Sequence, residues 1–355
     1  MAETTPDERA QTPEESEPDP EHIMRVATGF WGTKVLGAAV DFELFTVLSD
    51  GGLRASEIER ELGLHPRTTR DFLDTLASLG FLERDGDGDD PRYRNTPETT
   101  AFLNKDDPRY IGGAINIFNQ QTYDVWGGLE ESLRTGEPQG VIDETGEPLW
   151  EEMYDDPVEL EAFAEGMAGL SKGNFVAFAE QFDFSDYDSM TDVGGALGDL
   201  SRIVARREPH LSITTTDLPE VTELTREHIQ ADGLEDRIDA VSSDYNEEPI
   251  PDADLVTASL VLHQENLETK RTLMKKFYDA VNPGGTFVAI DHIIDDERQA
   301  NTMGLLMSLN MLVYYGDAFD YTGEQFVTWA EEAGFEDVQI QHLNGPASMG
   351  IAHKG

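Results

Sequence analysis

One histidine, a few acidic residues and a cluster of glycines carry the chemistry legible in this chain. Asp192 leads into Gly194, Gly195 and Gly198, and the residues after them, 203–207, read as helix. Strand, glycine turn and helix in succession bring bare backbone close to a nucleotide-like ligand, because glycine has no Cβ and reaches positive φ. The motif alone is common, so its surroundings matter. Asp217 ends a β-branched run 25 residues after Asp192, where a carboxylate can accept both hydroxyls of a ribose. Asp244 and Tyr245 follow a third short run, 238–241. His263 ends a fourth and Asp291 a fifth. An imidazole titrates near neutrality, the range suited to a general base. A neighbouring carboxylate fixes its tautomer and favours the protonated form.

The elements that must hold these residues alternate. Five apolar runs end in polar or glycine tips, and helical patterns separate several of them. Leu273, Phe277 and Val281 lie four apart along one face. Such βαβ alternation predicts a mostly parallel sheet with its ligand at the carboxyl ends of the strands. Further on, the segment 301–315 is apolar nearly all round and predicts a buried helix, with Asn310 inside it as a candidate substrate contact. Thr322 caps a helix over 323–333, and 338–342 with 348–352 read as a closing pair of strands.

The chain has 355 residues and a formal net charge of −47. That charge repels nucleic acid and anionic membranes. Only seven of its 25 basic residues are lysine, and carboxylates run along the whole chain. Such a surface suits concentrated salt, which shortens the Debye length to about 3 Å at 1 M. We read a salt-requiring cytoplasmic protein. There is no cysteine, which excludes disulfides and thiolate metal sites. No apolar run reaches the roughly 18 residues of a membrane span. Residues 1–20, rich in Pro and Glu, predict an acidic disordered tail without the apolar core of a signal peptide.

Residues 21–107 form a first domain. Phe30, Trp31, Val35, Leu36 and Val40 repeat at helical spacing. A short helix begins at 55–59 with Ser56 as its cap, and a second, 68–79, stops at Gly80. Residues 81–84 and 92–95 form a hairpin across an acidic turn. Two helices and a hairpin make a winged helix-turn-helix. Arg67 and Arg70 invite a DNA reading, but Asp71, Asp74 and four aspartates at the wing tip oppose docking to phosphate. A dimerisation module is the better reading, and the apolar first helix calls for burial in a two-fold dimer.

Residues 108–182 read as a helical connector rich in Trp126, Trp150, Met153, Tyr154, Phe163, Met167, Phe175 and Phe178. Most belong to a core, and some line an apolar pocket for a flat organic ligand. Gly136, Pro138, Gly140, Gly146 and Pro148 mark a loop-rich joint to the last region, 183–355.

Taken in order, the segments 30–36 (FWGTKVL), 70–76 (RDFLDTL), 93–98 (YRNTPE), 192–195 (DVGG), 217–221 (DLPEV), 261–263 (VLH), 282–285 (NPGG) and 332–335 (EAGF) resemble one family. It is the class I S-adenosylmethionine-dependent O-methyltransferases of the plant and bacterial small-molecule type. The resemblance covers about residue 24 to the end. It implies a winged-helix dimerisation domain followed by an α/β, Rossmann-like domain with a mostly parallel seven-stranded sheet, assembled as a homodimer through the N-terminal domain. It implies S-adenosylmethionine as cofactor, S-adenosylhomocysteine as its product, and no metal. Asp192, Gly194 and Gly195 would lie along the methionine and ribose, and Asp217 on the ribose hydroxyls. Leu218 would lie against the adenine, with Asp244 and Tyr245 on its other side, and Ser259 joins the cofactor-side candidates. His263 matches the family's general base, Asp291 the acidic residue that orients it and Asp320 a second acidic partner. Met167, Met307, Asn310 and Met311 are the candidate contacts to a small hydroxyl acceptor of aromatic, polyketide or isoprenoid type. The chain departs from the family at Ala196, in place of the middle glycine. It departs also at Gln264 and Glu265 after the base, and at Asp291 and Asp320, where plant members have glutamate.

His292 beside Asp291 raises a metal alternative, but neighbours on a strand point to opposite faces and no ligand spacing supports it. Two other classes compete: a winged-helix regulator, separated by its DNA affinity, and an enzyme using the same cofactor without methyl transfer, separated by whether S-adenosylhomocysteine appears in step with product.

Overall fold

The computed structural model describes residues 18–107, 109–139 and 157–355. Residues 140–156, which include Gly140, Gly146, Pro148, Trp150, Met153 and Tyr154, lie outside the described residues, as do Pro108, most of the acidic N-terminal segment and the side chains of Pro157, Val158, Glu159 and Ala162.

In the N-terminal unit the apolar helix Gly29–Asp41 packs only its later half inward: Ala39 and Val40 are buried, while Phe30 and Trp31 are 46 % and 62 % exposed. The strand β1 (Leu53–Arg54), helices Ala55–Leu62 and Pro66–Ser78, and the hairpin β2 (Leu82–Asp85) and β3 (Arg92–Asn95) complete a winged helix-turn-helix with strand order β1-β3-β2. Pro66 opens its helix where no N–H is needed, and the His65 ring accepts from the Arg67 N–H. Ser56 is not the cap expected. Arg54 holds that position, donating its backbone N–H to Glu57, and Ser56 is turned to Asp90 of the wing, which accepts both its N–H and its hydroxyl. Of the two arginines suited to phosphate, Arg67 pairs with Asp71, and Arg70 with Asp74 and Asp89.

The connector runs through a helical segment, 112–135, to the long helix Pro157–Gln181, which packs against helix Gly112–Asn116 of the connector and against the sheet and helix Asp199–Arg207. Gly136 ends helix Leu129–Thr135 with φ 75.

The C-terminal unit is built on β4 (Ser189–Val193), β5 (Ser212–Asp217), β6 (Ile238–Ser242), β7 (Ala253–Ser259), β8 (Val281–Asp291), β9 (Glu336–Asn344) and β10 (Ala347–His353). Their order is β6-β5-β4-β7-β8-β10-β9, parallel except where β10 runs against both neighbours. The chain fills one side of β4 first and then the other, so β4 and β7 flank the point where the winding reverses. A crevice opens outside the carboxyl ends of the strands at such a point. One face of the sheet is covered by Leu273, Phe277, Phe326 and Trp329, the other by Phe178, Leu200, Val204 and Ile229.

Helix Thr302–Tyr315 is less buried than its composition predicts: Gly304, Met311 and Val313 are inside, but Met303 and Leu306 are 39 % and 43 % exposed. It packs against the turn that carries His263 and against helix Leu129–Thr135.

Four of the seven lysines end on backbone carbonyls: Lys34 on Asn119, Lys270 on Glu265, Lys276 on Tyr245, Asn246 and Glu248, and Lys354 on Tyr278 and Val281.

Candidate functional site

At the end of β4 the chain turns through Gly194 (φ +65), Gly195 and Ala196 (φ 47) into helix Asp199–Arg207. A Cβ on Gly194 would lie 2.8 Å from the Val261 side chain, and one on Gly195 would lie 2.1 Å from the Thr215 hydroxyl, so neither position admits a side chain. Ala196 holds a left-handed conformation usually left to glycine or asparagine, at a cost of roughly 1–3 kcal/mol. Its N–H and that of Gly195 are used: Gly195 donates to the Thr216 carbonyl, Ala196 to Asp217 Oδ2 at 2.8 Å.

The carboxylates beneath this turn differ in role. Asp192 is 1 % exposed, and its oxygens accept the hydroxyls of Ser201 (2.8 Å) and Thr257 (3.0 Å). It fastens the turn to helix Asp199–Arg207 and to β7. Burial pushes its pKa up to about 6 against the pull of those hydroxyls. Asp217 is half-buried at the tip of β5. Each of its oxygens accepts one backbone N–H, from Ala196 and Leu218, and keeps a lone pair for one of two adjacent hydroxyls. Burial raises its pKa too, and the two N–H donors oppose the rise. Leu218 and Tyr245 stand half-buried at the ends of β5 and β6, and the Tyr245 hydroxyl donates to Glu265 at 3.1 Å. Asp244 folds back on its own turn, accepting the Asn246 N–H. Ser259, the last residue of β7, lies 3.4 Å from the Ile290 carbonyl. A bare turn, a carboxylate for vicinal hydroxyls and apolar side chains beside it fit an adenosyl group.

The second half of the site begins where β7 stops. The strand ends at Ser259 rather than running on to His263, because Leu260 takes φ 55 and turns the chain out of the sheet. His263 then rides on the tight turn Leu262–Gln264, 6 % exposed. Its Nδ1 lies 3.6 Å from Asp320 Oδ1. This corrects the expectation for Asp291: the carboxylate against the ring is Asp320, while Asp291 accepts the Tyr321 hydroxyl. The reason is positional, since β8 carries Asp291 one strand away while the loop before helix Gly323–Ala333 brings Asp320 to the ring. Both are buried, and Asp291 Oδ1, both Asp320 oxygens and His263 Nδ1 have no hydrogen-bond partner among the described residues. Burial opposes charge on His263, but Asp320 and Asp291 more than offset it and hold its pKa above the ordinary imidazole value. Burial raises Asp291 to about 6. An imidazole whose Nδ1 faces a carboxylate in this way leaves Nε2 as its proton acceptor.

On the remaining side, Asn310 accepts the Trp126 indole N–H at 2.7 Å and its amide lies 3.8 Å from Met307 Sδ. That bond ties the connector to helix Thr302–Tyr315. Met311 is buried, and Met167 is half-buried on the long helix. Sequence reasoning missed Tyr321 and Lys270. The second was legible: Lys270, Leu273 and Phe277 share one helical face, and a lysine on an apolar face needs a reason. His292 lies beyond the end of β8, where strand alternation no longer applies, and Asp320 and His263 both act on its charge. Among the described residues, the group able to gather round a cation is Glu161, Glu165 and His228, away from this site.

The chain matches two family models, an O-methyltransferase dimerisation domain over residues 24–105 and an O-methyltransferase domain over residues 126–336. It is 35% identical over 335 residues to the tetracenomycin polyketide synthesis 8-O-methyltransferase TcmO of Streptomyces glaucescens, covering 94% of this chain and 97% of that one. It is 31% identical over 322 residues to the N,N-dimethyltransferase OxyT of Streptomyces rimosus, covering 91% and 92%. Among solved structures it is similar to human N-acetylserotonin methyltransferase in complex with S-adenosylmethionine, with a TM-score of 0.86 at 27% identity over 96% of this chain and 99% of that one.

Proposed function

The chain belongs to the S-adenosylmethionine-dependent O-methyltransferases with an N-terminal dimerisation domain, and from that membership we propose that it methylates a hydroxyl of a small aromatic, polyketide-like molecule with His263 as general base. The observation that carries the reading is the buried imidazole of His263, its Nδ1 3.6 Å from Asp320, on the turn that follows β7 at the switch point of the sheet.

When bound, S-adenosylmethionine supplies an electrophilic methyl group on a sulfonium. Asp217 would take its ribose hydroxyls, Leu218 and Tyr245 would flank its purine, and the turn at Gly194 and Gly195 would leave room for the rest. Alignment of acceptor and donor is the larger part of the rate. His263 removes the acceptor proton at Nε2, because Nδ1 faces Asp320. Asp320 and Asp291 favour the imidazolium that results. Trp126 and Asn310, with Met307 and Met311, would border the acceptor. Incubation of the protein with methyl-labelled S-adenosylmethionine and a panel of phenolic polyketides tests the reading. Label recovered as an O-methyl ether, with equal S-adenosylhomocysteine, supports it; cofactor consumption without methylated product refutes it. The likeness to OxyT supports a second outcome, methylation of an amine, which the N-methyl resonance of the product would reveal.

The assembly proposed is a homodimer through the N-terminal domain. Ile23, Met24, Val26, Phe30 and Trp31 are exposed, and an apolar groove of about 420 Å³ lined by Gly32, Leu36, Leu79, Phe81, Ile115 and Phe118 adjoins them. No helix among the described residues is long and apolar enough to cross a membrane. The charge of −47 supports a cytoplasmic, salt-requiring enzyme that keeps clear of nucleic acid and anionic membranes.

A further inference from the structure

We propose that Lys270 is a positioning residue of the methyl-transfer site: its ammonium bolts the His263 turn to the Asp320 loop and sets a positive charge against the carboxylates that crowd the imidazole. The inference rests on the reading of His263 as the base.

Lys270 has no exposed surface. It stands in the first turn of helix Leu267–Ala280, the end at which the helix dipole disfavours a cation. Burying an ammonium is costly as well. Both costs are offset locally. The ammonium donates to the carbonyl of Glu265, two residues after His263, and lies 3.8 Å from the centre of the Phe319 ring, one residue before Asp320. One side chain thus grips the segment that carries the base and the segment that carries its carboxylate. Burial lowers the lysine pKa to about 8, with Asp291, Asp320, Glu265 and Asp317 pulling the other way.

The charged and titratable groups around the imidazole come from every neighbouring element. Asp291 and His292 come from the end of β8, and Asp320 and Tyr321 from the loop before helix Gly323–Ala333. Lys270 comes from helix Leu267–Ala280, and Glu265 and Asp317 face its ammonium. Lys270 offsets part of the negative charge with which Asp320 and Asp291 hold the proton taken by His263. Without Lys270 the same proton would join two uncompensated carboxylates. It would be held more tightly.

Lys270→Met and Lys270→Arg, compared with wild type, test this in two readouts, with circular dichroism confirming the fold. Nuclear magnetic resonance of isotope-labelled imidazoles, assigned with His263→Gln, follows the titration of His263 without turnover. The pH–rate profile of methyl transfer follows its acid limb. Lys270→Met is expected to move both to higher pH, on the order of one unit, and so to lower the rate on the acid limb about tenfold. Lys270→Arg is expected to restore both. If Lys270→Met does not fold, Lys270→Gln, which keeps a donor for the Glu265 carbonyl and drops the charge, is read in its place with the same expectation. A folded neutral variant whose His263 titration stays put or falls overturns the proposal. If the titration shifts as expected but wild type transfers no methyl, the charge role of Lys270 stands and the functional reading falls.

Discussion

Asp192 and Asp217 show one side chain put to two uses within a single turn. Asp217 keeps lone pairs toward the cleft, so Asp217→Ala is expected to weaken S-adenosylmethionine binding by roughly 1–3 kcal/mol, measured by calorimetry, with the fold intact. Asp192 has both oxygens engaged inside the protein, so Asp192→Ala is expected to destabilise by roughly 1–3 kcal/mol for each hydroxyl left unpaired. Its pKa of about 6, above the ordinary 3.8, means that the folded state binds the proton more tightly. The stability this contributes is full below the unfolded value and lost as pH rises through about 6. Asp192→Asn, which does not ionise, is therefore expected to gain on wild type in melting temperature between pH 4 and 7. For the proposed base, His263→Ala is expected to leave cofactor binding intact and to lower turnover by roughly 10²–10⁴, with part of the loss recovered at high pH on a phenolic acceptor. Because His263 titrates above its ordinary 6.5, the acid limb of the wild-type profile should lie above that value. Asp320→Asn should move the limb to lower pH, and by more than Asp291→Asn, since Asp320 is the carboxylate against the ring.

At the scale of elements, periodicity showed what neighbours did not overrule. The strands from β4 to β8, the wing hairpin, the stop at Gly80 and the Thr322 cap follow from local pattern, and each is present. The end of β7 was not legible, because Leu260 in a left-handed conformation breaks an apolar run that has no glycine to announce it. Nor was the choice between Asp291 and Asp320, which depends on how far a loop reaches across the sheet. Ser56 lost its capping role to a long-range partner, Asp90, which no local window contains. Asn310 read as a substrate contact, and its oxygen is taken by Trp126. Asn310→Leu should leave the indole N–H unpaired and cost on the order of 1–3 kcal/mol in a thermal melt. It should also raise KM for the acceptor more than it lowers kcat, because the helix it anchors would border the acceptor.

Across the whole molecule, the exposed aromatic residues of helix Gly29–Asp41 and the acidic surface make separable predictions. Trp31→Asp is expected to shift the protein from dimer to monomer in light scattering at fixed salt, since a charge would sit on an apolar face. Lowering the salt should unfold wild type and variant alike, because self-repulsion acts over the chain and not at one interface.

The lysines that end on carbonyls give the molecule an unusual profile toward amine chemistry. Acylating reagents usually find lysines scattered over a surface, but here Lys34, Lys270, Lys276 and Lys354 are struts whose nitrogens are already committed to the backbone. Lys105 and Lys275, paired with the carboxylates of Glu43 and Asp279, should label first. Lys270, enclosed on every side, should label only when the helix that bears it opens. Amine footprinting read by mass spectrometry would therefore report the unlocking of the His263 turn, residue by residue.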